Sequence, residues 1–211
     1  MKTIYTFALA AGVALFASCG ESTTAVESQA PAEPAVAEAT SIDYFVSTDA
    51  SSVTWAGTKI IGGGHNGTID IKKGKVTIES GVITSGTLAI DMNTMANTDL
   101  EDEEQRANLV GHLSSPDFFD VATHPYAIFT VTKHADGILG GNLELKGVSR
   151  EISFPIRMSE VDGKMAAKGS VVIDRTQWGV EYGSSLGDAT LGDNMEIGFN
   201  LEASTEMPAT K

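Results

Sequence analysis

Apolar residues recur at every second position through most of this 211-residue chain, a pattern that confines it to a fold of half-buried strands. VTWAGTKI (Val53–Ile60) opens the series. In GTIDIKKGKVTIE (Gly67–Glu79) the apolar positions are Ile69, Ile71, Val76 and Ile78, and the spacing predicts a turn at Lys73–Gly74. TSGTLAIDM sets Leu88, Ile90 and Met92 on one face, and AIFTVTK, ILGGNLELKG, REISFPIRM, KMAAKGSVVID and NMEIGFNLEAS continue the alternation. The Gly-, Asp- and Asn-bearing links between these runs are short, as in hairpins, so the strands are antiparallel. Eight or nine such strands with one apolar face must close on themselves or pack as a sandwich. Closure into a barrel also removes exposed sheet edges.

One segment departs from this period. TDLEDEEQRANLVGHLSS (Thr98–Ser115) carries the capping-box pair Thr98 and Glu101 and a run of acidic residues in its first turns. Leu109 and Leu113 lie four apart, and Asp102 is placed to pair with Arg106. A helix over about residues 98–115 is expected to lie across one barrel end. Pro116 limits its continuation, and PDFFD turns the chain into the next strand.

The two ends of the chain read differently from its middle. MKTIYTFALAAGVALFAS has Lys2 followed by an apolar run and small residues, the form of a bacterial export signal over residues 1–18. The only cysteine, Cys19, follows directly, which points to lipid attachment there and to an anchor that does not span the membrane. Residues 19–45 are acidic and rich in Pro and Ala, and are expected to form a tether. A barrel domain over 46–205 and a tail over 206–211 complete the division. The protein is therefore expected in the bacterial cell envelope, facing the periplasm or the cell surface. Without Lys2, 13 basic side chains face 28 acidic ones, a net charge of −15. That balance argues against nucleic acid as a partner and against electrostatic docking on anionic lipid.

Three motif matches invite other functions. GGGHNG (Gly62–Gly67) has the letters of a dinucleotide-binding turn, but the alternating TIDI follows it rather than a helix. GSSLG (Gly183–Gly187) has those of a nucleophile elbow around Ser185, yet all four histidines precede it. His112, Asp117, Asp120 and His124 crowd one stretch and could ligate a metal, or could be polar decoration of a turn around Phe118 and Phe119. A metal-dependent or redox enzyme using His65, His112 and nearby carboxylates is thus one reading. An envelope protein with a filled core and a structural or partner-binding role is another. No residue is assigned as catalytic and none as a metal ligand.

HLSSPDFFDVATHPYAIF (His112–Phe129) resembles the signature of the YceI-like family of exported bacterial proteins. GGGHNGTIDIKKG, GTLAIDMNTM, GNLELKGVSREISFPI and IDRTQWGVEYGS resemble further family segments in the same order. The resemblance implies a mainly β, antiparallel lipocalin-like β-barrel of about eight strands that binds a polyisoprenoid or other amphipathic lipid. An isoprenoid lipid or quinone would be the bound molecule, with no further cofactor required; oligomeric state stays open, a dimer included. Lining candidates are Trp55, Leu88, Ile90, Phe129, Leu143, Phe154, Met165 and Phe199, and Trp178 is also expected to contact the ligand. Phe118 and Phe119 are expected to divide between plugging the barrel end and seating the helix. His65, His112 and Arg175 are the candidates for a ligand head group. Arg175 has a competing structural role, pairing with a buried carboxylate or stacking on Trp178.

Overall fold

A computed structural model describes residues 40–59, 63–181 and 191–207. Cys19, the export signal, most of the tether, Gly62, Ser185 and most of the tail lie outside the described residues. Among the described residues there are nine antiparallel strands: β1 Ser41–Val46, β2 Ser52–Lys59, β3 Gly64–Glu79, β4 Val82–Asn97, β5 Tyr126–Ala135, β6 Ile138–Leu145, β7 Val148–Val161, β8 Lys164–Asp174 and β9 Leu191–Ser204. Helix α1 (Glu103–Ser114) lies between β4 and β5, and a single 3₁₀ turn, Arg175–Trp178, follows β8.

The nine strands make an eight-position barrel because β1 and β2 share one position. The first half of β3 pairs with β2 (Val53 opposite Ile69), while its second half pairs with β1 (Tyr44 opposite Val76). On the other side β9 meets both in turn, through Phe199 opposite Val53 and Ser204 opposite Phe45. The β3–β4 ladder closes the ring. β1 begins inside the segment expected to be tether, so that segment ends before Ser41 and not at 45. SIDYFV is itself a short alternating run, with Tyr44 and Val46 buried in the core. Asp43 secures it by a 2.8 Å ion pair to Lys75 and a 2.7 Å hydrogen bond from Thr77.

No turn occurs at Lys73–Gly74; β3 continues through it as one strand of 16 residues. The register steps from Ile71 opposite Ile90 to Lys73 opposite Ala89, so Lys72 is an extra, bulged residue. One added residue exchanges the two faces of a strand. The inward set is Ile69 and Ile71 before the bulge and Gly74, Val76 and Ile78 after it, with Lys72 and Lys73 both exposed.

The helix also differs at its start. Its N-cap is Asp102, whose carboxylate accepts from the Gln105 amide at 2.8 Å. Thr98 does not cap it, because its hydroxyl donates to the Asn66 side chain at 2.9 Å, on β3. Arg106 gives its guanidinium to the carbonyls of Leu100 and Glu101, both at 2.8 Å, rather than to Asp102. Leu113 is buried against the barrel and Leu109 is half-buried beside it.

Two glycines test how tightly this frame is packed. A Cβ on Gly67 would lie 1.8 Å from the Ala96 carbonyl oxygen and 2.7 Å from Trp55 Nε1, whereas one on Gly111 in α1 would meet nothing within 4 Å. Gly67→Ala is expected to destabilise the fold by about 3 kcal/mol or more, because backbone must move. Gly111→Ala should stabilise it by about 0.5–1 kcal/mol through helix propensity. Urea denaturation of the two variants checks both signs.

Candidate functional site

The barrel's inward face encloses about 120 Å³ of free space, and the side chains around it are apolar apart from Thr54 and Thr87. Three phenylalanines cross its middle. Phe154 contacts Phe129 with ring centroids 5.5 Å apart and Phe199 at 5.6 Å. Glycines on the strands behind make room for two of these rings. A Cβ on Gly141 would lie 2.5 Å from Phe129 Cζ, and one on Gly169 2.9 Å from Phe199 Cζ. Phe199, Thr54 and Ile156 also border a groove on the outer surface across β7, β8, β9 and β2, so they form the wall between the interior and that groove.

The structure places Trp55, Leu88, Ile90, Phe129, Leu143, Phe154, Met165 and Phe199 on this cavity. It separates the two phenylalanines of PDFFD. Phe119 reaches the cavity, while Phe118 stands edge-on to it at 4.8 Å and takes the His112 ring on another side at 5.8 Å. The turn that holds them is closed by backbone bonds, among them Phe119 N to the Leu113 carbonyl at 3.1 Å and Asp120 N to the Ser115 carbonyl at 2.9 Å.

Arg175 is fully buried and sits over the face of Phe118, its Cζ 5.6 Å from the ring centroid. It donates to the carbonyls of Val180 and Gly192 and pairs with Asp193 at 3.3 Å. Asp193 is half exposed, and the stacked ring is Phe118, so neither a buried carboxylate nor Trp178 is its partner. Burial pulls the guanidinium's pKa downward, with Asp193 and Asp174 opposing that. Trp178 is buried beside this corner and donates to the Leu143 carbonyl at 3.0 Å. Arg175 and Trp178 therefore close the helix-covered end and do not border the cavity.

His65 lies at that same end but on its rim. Its Nδ1 is 2.9 Å from Asp99 Oδ2, and Asp99 Oδ1 accepts from the Asn66 amide at 2.8 Å and from the buried Asn97 side chain. Burial opposes the charge on Asp99, but these three donors together outweigh it and hold the carboxyl at about 2. His65 and His112 thus have different neighbours, and the described residues contain no group of three or more side chains placed to hold a metal ion. His134 and His124 serve locally: His134 Nδ1 accepts from the Ile83 amide at 3.1 Å, and His124 fills the space beside Gly147.

Several site residues carry no signal in the alternation. Met95 lines the cavity, yet it is out of phase with Met92. Thr94 breaks the phase, donating to the Asp91 carbonyl at 2.7 Å and accepting from the Asp70 amide at 2.8 Å. Asp99 and Asn97 bond each other locally, but the partners that fix the pair, His65 and Asn66, are more than thirty residues away on β3. At the opposite end of the barrel Tyr44 Oη donates to Glu160 at 2.6 Å. That hydrogen bond, helped by burial, pushes the phenol up to about 12.

Residues 44–203 match the YceI-like domain. The chain belongs to the YceI-like family. Among solved structures, BcnA of Burkholderia cenocepacia is 21% identical, with 75% of this chain and 99% of that one aligned at a TM-score of 0.63. A polyisoprenoid binding domain from Saccharophagus degradans, implicated in plant cell wall breakdown, is 17% identical over 77% of this chain and 98% of that one, at 0.59. These likenesses are of fold. No curated protein matches the sequence. In this YceI-like barrel HLSSPDFFD forms the turn that seats Phe118 under Arg175 and turns Phe119 into the cavity.

The Asp99 cluster gives a pH dependence of known sign. With its pKa lowered from 3.8 to about 2, Asp99 adds stability that is complete above about pH 4 and is lost as pH falls towards 2. The contribution is about 1 kcal/mol once solvent screening at this quarter-exposed side chain is allowed for. Asp99→Asn should lose that increment at pH 7 and show a shallower fall in stability between pH 4 and 2, measured by urea denaturation at each pH.

Proposed function

We propose that this protein binds one elongated apolar lipid chain, of isoprenoid or similar amphipathic class, inside the barrel, and that it does so as an exported envelope lipoprotein attached through Cys19. The observation that carries the reading is the interior itself: a closed barrel with free space, walled by apolar side chains. A protein core is ordinarily filled to the density of an organic crystal, so free space along a barrel axis calls for an occupant.

About 120 Å³ does not hold a long tail without movement. The magnitudes favour that movement. Each methylene transferred from water gains about 0.8 kcal/mol, so a tail of about ten gains on the order of 8 kcal/mol. Parting the two ring contacts of Phe154 costs about 1–3 kcal/mol. The tail outweighs the rings, and the phenylalanine row is the part of the core that yields. The polar rim of His65 and Asp99 lies beyond Trp55 and Met95 at the helix-covered end, within reach of a head group. The Saccharophagus degradans relative is a polyisoprenoid binding domain, which supports the same ligand class here.

Organic extraction of the purified protein followed by mass spectrometry should recover about one apolar-chain lipid per barrel. Ala167→Phe, which projects a ring into the cavity from β8, should reduce that recovery several-fold while the barrel stays folded. Absence of lipid from the unsubstituted protein would sink the proposal and leave the filled-core reading. Cys19→Ser should move the protein from the membrane fraction to the soluble one; retention in the membrane would remove the lipid anchor from the reading.

A further inference from the structure

We propose that the hairpin-tip end of the barrel, opposite α1, is a docking face for the surface of a zwitterionic bilayer. Three two-residue turns form this end: Ser80–Gly81 between β3 and β4, Asp136–Gly137 between β5 and β6, and Asp162–Gly163 between β7 and β8. Both residues of each turn have positive φ, the tight type that matches strand twist, so none of these three turns overhangs the rim. The fourth station is where β9 ends and β1 begins, with Ser204 opposite Lys164 and Ser41 opposite Glu79.

Each station exposes an aliphatic side chain or a methionine. Val82 is 43% exposed, Ile138 40% and Val161 66%, and at the fourth station Ile42 is 38% and Met207 73% exposed. Thr205 donates its amide to the Gly163 carbonyl at 3.2 Å, which holds the chain leading to Met207 beside the β7–β8 tip. These are five of the seven large apolar side chains exposed among the described residues. The other two, Tyr126 at the start of β5 and Val172 near the end of β8, lie towards the helix-covered end. A ring of single apolar contacts on a level rim suits the interface of a membrane, where each can enter shallowly between head groups.

The chain's own course selects the bilayer as occupant. Ser41 enters the barrel at this rim, so whatever attaches the preceding segment delivers the rim first; in this the proposal rests on the anchor reading. The 21 residues between Cys19 and Ser41 cannot reach further than about 75 Å even fully extended, which bounds the rim's distance from the anchor. Charge selects the lipid. Glu79, Asp136, Glu160 and Asp162 outnumber Lys133 and Lys164 around the tips, which disfavours anionic surfaces and leaves zwitterionic ones.

Because Cys19 is the only thiol, the full chain carrying Cys19→Ser can bear a polarity-sensitive fluorophore at Val161→Cys or, at the far end, at Val172→Cys. With phosphatidylcholine vesicles the label at 161 should brighten about threefold and be quenched by lipid-borne spin labels, while the label at 172 stays unchanged. Val82→Asp with Ile138→Asp should abolish the response at 161 without lowering the melting temperature. Silence at 161, or an equal response at both positions, would overturn the docking face. A response at 161 that needs no vesicles and grows with protein concentration would overturn it too, making the rim a contact between copies. None of these readouts requires a lipid in the cavity or a modified Cys19, and mass spectrometry of the unsubstituted protein reports both separately.

Discussion

Closure is the constraint on which this structure depends. A strand presents an unpaired edge unless it has a neighbour on both sides, and here β3 supplies neighbours for three strands along its length. It can do so because Lys72 is bulged. The bulge bends β3 and exchanges its faces, so that Ile69 and Ile71 below it and Val76 and Ile78 above it all point into the same interior. An unbulged β3 would turn one of those pairs to solvent. The inward placing of Val76 and Ile78, in the half of β3 that pairs with β1, follows from that one extra residue.

The two barrel ends are built by different physics. One is covered by α1 and a buried polar corner: Arg175 lies over Phe118, with carbonyls taking its donors and Asp193 its charge. A guanidinium out of water is tolerated only where its donors are matched. The FF turn matters because it sends one ring to that cation and the other to the cavity. Among the described residues the opposite end carries no such cover. It consists of tight turns, exposed aliphatics and the Tyr44–Glu160 hydrogen bond, and the bilayer-docking proposal takes its direction from this asymmetry.

Most of the barrel is legible in the sequence because alternation is a local signal and an inward apolar face must repeat every two residues. The lining candidates on β2, β4, β5, β6, β7, β8 and β9 fall on the cavity for that reason. Phase is the weak point. Lys72 and Thr94 each shift it, and consecutive lysines followed by glycine look the same whether they make a turn or a bulge. Thr98 has the letters of a capping box, but Asn66, thirty-two residues earlier, offers its hydroxyl a partner that no local window contains. Arg175 is structural in kind, as its motif suggests, yet its ring partner Phe118 is nearly sixty residues away and leaves no mark beside it in the chain. β1 is hidden by the acidic composition that precedes it, although Tyr44 is among the most deeply buried residues of the fold.

The division of one barrel position between β1 and β2 has a mechanical consequence. Tension on the segment before Ser41 acts along the axis of β1 and loads its ladder with β3 in shear. β2 holds the same two neighbours through its own register, from Val53 opposite Ile69 to Trp55 opposite Ile197. β1 and β2 are thus held by separate ladders, so a load entering at Ser41 falls on the pairing of β1 with β3 before it reaches those of β2.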